Sequence, residues 1–268
     1  MSEKIVSELQ ARPVLEPRIG SGCWSVDLAK GEAITLERDA HADMVLTGAG
    51  HEGGALCLTL EPYSRLNIVE LVDQEGATTD LRISLLEGAE CSVTQVVTAS
   101  SNLRVEASLD GRFARFELGG AFILSANERG TVQVDVRHNV ADCSSRTTFK
   151  GVASQSAVGK FSGLVYVAPD AQRTDSEQLS RNITLGEARI ETLPQLEIYA
   201  DDVKCSHGAT VGQMNDEAVL YMRQRGLSLA TAKRLQIEGF VSDVVLRSST
   251  ELCREAFIEA LESKLEKL

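Results

Sequence analysis

Two side chains with obvious joint chemistry stand one residue apart in this sequence, Cys205 and His207. They lie in the stretch 196–226, LEIYADDVKCSHGATVGQMNDEAVLYMRQRG, which holds the only Cys-x-His string in the chain. Leu196, Ile198 and Ala200, then Val203, Cys205 and His207, follow the period of an extended strand. Side chains two apart on a strand share a face, so thiol and imidazole stand side by side. A thiolate and an imidazole together suit a soft transition metal. Two donors do not close a tetrahedral site, so a metal there needs groups from another strand or another chain. The plainer alternative is a packed thiol beside a hydrogen-bonded imidazole.

Other polar clusters carry weaker signals. His138 and Cys143, in VRHNVADC, flank a turn, where they either meet as a pair or serve as a turn histidine and a buried thiol. His41 and His51 lie in a Gly-rich stretch with Asp39, Asp43 and Glu52. Solvated loop groups explain that stretch more simply than a metal site does. The six cysteines, Cys23, Cys57, Cys91, Cys143, Cys205 and Cys253, are widely separated and form no Cys-x-x-Cys pair. That usage suits reduced, mostly buried thiols in a reducing compartment and not a disulfide framework. No Gly-x-x-x-x-Gly-Lys-Ser/Thr loop is present, so ATP hydrolysis must come from a partner. No Gly-x-Ser-x-Gly or His-Glu-x-x-His string occurs either.

Composition narrows the classes further. The chain has 268 residues, 43% hydrophobic and 25% charged, within the range of globular proteins. Aromatic residues are only 4%, so the core must be built from aliphatic side chains. A formal net charge of −12 argues against free nucleic acid as a partner. No stretch approaches the roughly 20 consecutive apolar residues of a membrane span. The N-terminal MSEKIVSELQARP carries acidic residues and no signal-peptide core, so the expected location is the cytoplasm.

The elements that must position Cys205 and His207 are strands before them and helices after. Residues 2–10 make a short helical pattern that Ser2 can cap, ended by Pro13 and Pro17. From Trp24 to Val211 short alternating runs recur, separated by Gly, Asp, Asn or Ser. Examples are AITLE, ALCLTL, RLNIVELV, CSVTQVV, RFARFEL, TVQVDVR, RTTFKGV, GLVYVA, NITL and LEIYA. The spacing allows a sandwich, a barrel or a solenoid. The length of the β region, its tight turns and its few aromatics favour a solenoid with a narrow aliphatic core. A solenoid end exposes strand edges, so a stack stopping near Gly212 needs a cap or a second copy. Beyond Gly212 the period becomes helical. Asn215 caps one helix ending at Gly226, and Ser228 caps a second that Gly239 is expected to interrupt. Ser249 or Thr250 caps a third, with Leu252, Phe257, Ile258, Leu261 and Leu265 on one face. The boundaries expected are 1–20 for the lead-in, 21–212 for the β core and 213–268 for a helical subdomain.

The run ADDVKCSHGATVGQ followed by LYMRQRG resembles the C-terminal signature of the SufB/SufD family, and its SufD branch in particular. The resemblance is dense over those residues and looser over the β-rich middle. It implies a right-handed β-helix followed by helices, working with the SufC-type ABC ATPase in iron–sulfur cluster assembly. It also implies that two subunits meet at the end of the β-helix, with His207 and Cys205 at their interface and His207 concerned in cluster assembly. The C-terminal helices of that family bind the ATPase, which makes the apolar patch Phe240, Val241, Val244, Val245 and Leu246 the candidate dock. SufB-type scaffolds carry a cysteine that would fall near Ala188 or Arg189, and a Glu where Gly208 stands. This chain has no cysteine between Ser144 and Lys204, so it follows the SufD pattern. Family members also carry an N-terminal helical domain. Here only residues 2–10 stand at that place, as in a compact form.

The expected function is therefore a non-catalytic SufD-like subunit that couples a SufC-type ATPase to cluster assembly at a subunit interface. Its partner would be a SufB-type scaffold or a second copy of itself. No cofactor is expected to be stably bound by the chain alone, a transient iron–sulfur cluster at the dimer interface aside. The alternative is a homodimeric scaffold in which two copies of Cys205 and His207 supply four ligands. A β-solenoid enzyme, such as a polysaccharide lyase or acyltransferase, is a third class. No stacked carboxylate or basic cluster supports it.

Overall fold

A computed structural model describes residues 5–7, 10–48, 55–248 and 254–265. The strands are β1 (Arg12–Pro13), β2 (Arg18–Ile19), β3 (Gly22–Asp27), β4 (Ala33–Leu36), β5 (His41–Thr47), β6 (Leu56–Leu60), β7 (Arg65–Val72), β8 (Ala77–Leu85) and β9 (Glu90–Val97). They continue as β10 (Ser101–Leu109), β11 (Arg115–Leu124), β12 (Arg129–His138), β13 (Ser144–Ala153), β14 (Val158–Val167), β15 (Thr174–Thr184), β16 (Arg189–Ile198) and β17 (Val203–Gly212). Three helices follow: α1 (Asp216–Gln224), α2 (Leu229–Ser248) and α3 (Arg254–Leu265).

All odd-numbered strands form one parallel sheet of nine, and all even-numbered strands a second parallel sheet of eight. The chain thus alternates between the sheets and climbs one strand spacing per coil. This is a two-sheet β-solenoid with C-terminal helices, the fold class the sequence pattern favours. The coils lengthen along the stack. In-register side chains lie 20 residues apart at Ser21 and His41, 25 at Asn67 and Ser92, and 31 at Arg146 and Glu177.

In six successive coils, the corner between an even strand and the next odd one holds a residue with positive φ. Asp39, Tyr63, Gly88, Phe113, Asp142 and Arg173 all have φ between 57° and 66°. Left-handed backbone disfavours side chains other than glycine. Here the stack offsets that cost, because each turn bonds to the next. The Tyr63 N–H donates to the Glu87 carbonyl at 2.8 Å, Gly88 to Arg112 at 2.9 Å and Asp142 to Gln172 at 3.0 Å. Side chains form a parallel ladder: Asp142 accepts from both Arg173 and Arg112, which hold its carboxyl down to about 2.

The even strands alternate strictly between buried and open positions, as in β12 and β14. Four of the odd strands alternate only in their first halves. In β7, β9, β11 and β13 the second half is buried on both faces. The helices explain this: α2 and α3 fold back over the outside of the odd sheet. There Val69, Leu71, Val96, Ala121, Ile123 and Val152 pack against Ile237, Val241, Phe257, Leu261 and Leu265, and Ile5 joins them. Inside the coils a second, larger core is mostly aliphatic. It also holds a phenylalanine stack, Phe122 to Phe149 at 5.6 Å and Phe149 to Phe161 at 5.5 Å. Gly151 makes room for that stack, since a Cβ there would come within 2.6 Å of the Phe122 ring.

Several expectations are corrected. Gly239 does not interrupt α2, which runs through it; a neighbouring Ile237 and Val241 hold the helix to the sheet. The run 196–207 is two strands in different sheets, with the turn at residues 199–202 between β16 and β17. RFARFEL is split by the turn at Phe113, and its strand extends on through Leu124. Asn215 and Ser228 cap as expected, each accepting backbone N–H bonds in the first turn of its helix. Ser2, His51, Glu52, Ser249, Thr250, Leu252 and Cys253 lie outside the described residues.

Candidate functional site at the open end of the solenoid

The stack stops at Gly212. β17 ends the nine-stranded sheet and β16 ends the eight-stranded one. Each presents one unpaired edge ten residues long, with Leu193 (51% exposed) on β16 and Val211 (47%) on β17. Exposed edges of this length invite pairing with another chain.

Cys205 and His207 sit on that last strand. Their register partners on β15 are Ser176 and Gln178, both buried on the lumen side. In-register residues of parallel strands face the same way, so both side chains belong to the lumen face at its mouth. Cys205 is half-buried, against Val165, Val167, Ala171 and Ala200. Burial pushes its thiol up, partly offset by the Ser176 backbone, so it is protonated at neutral pH. His207 is exposed because no coil covers it.

Beneath the mouth the lumen changes character. On β11 its odd-sheet face is Phe116, Leu118, Gly120 and Phe122; on β15 it is Thr174, Ser176, Gln178, Ser180 and Asn182. His138, fully buried, bonds Ser145 through Nε2 at 2.8 Å, and Ser145 bonds Ser176 at 2.9 Å. Burial lowers His138 to about 4, so it is neutral. The Gln178 amide, the Asn182 Oδ1 and the Thr192 Oγ1 are buried without a hydrogen-bond partner. Asn182 spends its Nδ2 on Ser180 and on the Thr210 carbonyl. Sequence reading missed this polar layer, although the alternating Thr, Ser, Gln, Ser, Asn of β15 is its signal. It likewise missed Glu70, a lumen carboxyl bonded by Thr79 (2.5 Å) and Gln95 (2.7 Å) and pushed up by burial.

The other candidates fall elsewhere. His138 and Cys143 do not pair: the Cys143 thiol donates to the Gly111 carbonyl at 3.2 Å. His41 and Asp43 line a groove of about 510 Å³ outside β5, β7, β9 and β11, in which Asp43 accepts from Asn67 at 2.9 Å. Among the described residues no group of three or more His, Cys, Asp or Glu is placed to hold a metal. Cys205 and His207 are thus two donors at an edge, and thiolate clusters need more.

The expected docking patch is corrected in part. Val241 (0% exposed) and Val244 (4%) are buried, Val241 against the odd sheet, and Phe240 is half-buried on the same cluster. The side chains of Val245 and Leu246 lie outside the described residues. α1 and the start of α2 leave other apolar side chains open: Leu220, Tyr221, Leu227, Leu229 and Leu235. Among the described residues no helix is long and apolar enough to cross a membrane.

Comparison with known proteins agrees with this architecture. The family model "SUF system FeS cluster assembly, SufBD core domain" matches residues 26–240, from the third strand into the second helix. The chain belongs to the SufBD core domain family. Within that family it is similar to the iron–sulfur cluster assembly protein SufD of Escherichia coli K12, 37% identical over 137 residues, which is 51% of this chain and 32% of that protein. It is similar to SufD of Bacillus subtilis, 34% identical over 116 residues, 43% of this chain and 26% of that one. A SufBD family protein of Mycobacterium tuberculosis H37Rv matches 94% of this chain and 77% of its own length at 28% identity. The match to the first of these relatives spans about a third of its length. A SufBD core is therefore present, SufD-like by its similarity to these two SufD proteins.

Proposed function

We propose that this chain is a non-catalytic, SufD-like subunit of an iron–sulfur cluster assembly complex in the cytoplasm. The open end of its solenoid pairs with a second subunit, a cysteine-bearing SufB-type scaffold or another copy. Cys205 and His207 then face that subunit, and the nascent cluster is cargo held between the two. A single observation carries this reading: the only Cys-x-His pair lies on one of the two terminal strands whose long edges are unpaired, with a polar lumen behind it. A protonated thiol must lose its proton to bind metal, so loading is favoured as pH rises.

A SufC-type ABC ATPase supplies the ATP chemistry that this chain's motifs lack. Its dock is the open face of α1 and α2, with Leu220, Tyr221 and Leu235, and not the buried Val241 and Val244. The helices would then pass ATP-driven motion to the sheet they cover. Leu235→Glu is expected to abolish co-purification of the ATPase while leaving the fold intact; retained co-purification would remove α2 as the dock.

The central test is His207→Ala. Its side chain is exposed at the open edge, so the variant should still fold. Cluster assembly by the reconstituted complex should fall at least tenfold. Unchanged assembly would sink the proposal. A homodimeric scaffold is the second reading, since two copies bring two thiols and two imidazoles to one edge. Anaerobic reconstitution of the isolated chain with iron counting separates the two, because only the homodimer would retain iron.

A further inference from the structure

We propose that Gln178 is a positioning residue for His207: its amide oxygen takes one ring N–H of that imidazole and turns the other nitrogen toward the open end. This rests on the reading of His207 as the interface donor.

Gln178 is 1% exposed, and neither its Nε2 nor its Oε1 has a hydrogen-bond partner. A buried amide left unpaired costs the desolvation of both polar groups. Leucine or methionine would fill the same lumen position without that cost. The surrounding chain accommodates the amide specifically. A Cβ at Gly163, across the lumen on β14, would stand 1.5 Å from the Gln178 Nε2. The side chain therefore spans the cavity to reach the opposite backbone, and glycine alone leaves it that room.

The layer above Gln178 holds the answering group. The β17 residues on the lumen face are Val203, Cys205, His207, Ala209 and Val211, and the one in register with Gln178 is His207. The two lie on adjacent strands, roughly 4.8 Å apart along the stack, on one face. Of those five residues only His207 carries an N–H in its side chain. A neutral imidazole has one donor and one acceptor nitrogen, and which nitrogen is free for metal is set by the bond the other makes. An imidazole at an open edge has no such bond from water alone that would fix its tautomer. The unpaired Gln178 amide, one layer beneath, is the group able to supply one. Closure of the mouth by a second subunit removes competing water and strengthens the same contact.

The test is nitrogen-15 NMR of the histidine rings in the full-length chain, with His207→Ala identifying the resonance among only four histidines. In the parent chain, at a pH where the ring is neutral, one tautomer of His207 should dominate. Gln178→Met, matched in length and without a hydrogen-bonding group, should return His207 to the tautomer ratio of a free histidine side chain in the same buffer. Its thermal midpoint should stay level, which shows that a changed ratio does not come from lost packing. Gln178→Leu serves as a second variant should the methionine chain not fold. An unchanged ratio in the folded variant overturns the inference. If that ratio is unchanged while His207→Ala still blocks assembly, the inference falls and the functional proposal stands. If the ratio relaxes while His207→Ala assembles normally, the positioning role stands and the functional proposal falls.

Discussion

His138 is neutral inside the lumen because burial removes the water an imidazolium needs. Its folded value of about 4 lies below the roughly 6.5 of an unfolded histidine. Between those values the unfolded chain binds the extra proton, so stability rises with pH there. The contribution is complete above pH about 6.5 and falls away as pH drops toward 4, a loss of about 3 kcal/mol at full extent. His138→Gln, which can keep a bond to Ser145, should flatten that part of the stability-against-pH curve. Denaturant unfolding at a series of pH values checks it; an unaltered slope would mean that His138 is solvated. At this scale the sequence marked Cys205 and His207 by type and spacing. It could not mark Gln178, because a glutamine becomes unusual only when Gly163 is brought against it from another strand.

Two lysines pin the helical layer to the sheet. Lys264 of α3 donates to both carboxylate oxygens of Glu128 at 2.5 and 2.6 Å, and Glu128 also accepts from the Ser125 N–H. Lys150 of β13 donates to the Phe240 carbonyl at 2.6 Å and pairs with Asp243. Both lysines are buried, but only Glu128 is largely buried with its lysine, so removing Lys264 strands a carboxylate whereas Asp243 stays open to water. Lys264→Ala should cost about 3 kcal/mol and speed amide exchange across α3, read by denaturation and hydrogen exchange. A change under about 0.5 kcal/mol would show the pair to be surface-like. The helices themselves were legible from Asn215, Ser228 and the apolar spacing. Their position was not, and for that reason Val241 and Val244 read as open although both are buried. Val241 and Val244 read as a sticky patch until the outer halves of β7 to β13 are seen to need a cover. The same cover hid β11 from a period-two reading, since GGAFIL is buried on both sides.

The whole molecule is a stack that ends abruptly. β16 and β17 offer two long parallel edges at one end, one on each sheet, around a polar mouth. A joint Leu193→Lys and Val211→Lys variant should leave the isolated fold unchanged and abolish pairing through this end. Analytical ultracentrifugation, alone and with a SufB-type scaffold, reads the outcome. Persistent pairing would place the interface elsewhere.

Local features of the sequence were enough for the class of fold, the stop near Gly212, the caps Asn215 and Ser228 and the Cys-x-His pair, because period, capping and spacing act over a few residues. Only the folded stack decided which strands share a sheet, since a coil of twenty to thirty-one residues brings together partners that no local pattern links. It also decided that a polar lumen lies under His207. A side chain's partner in a solenoid is set by register between coils, and register is a property of the assembled sheet.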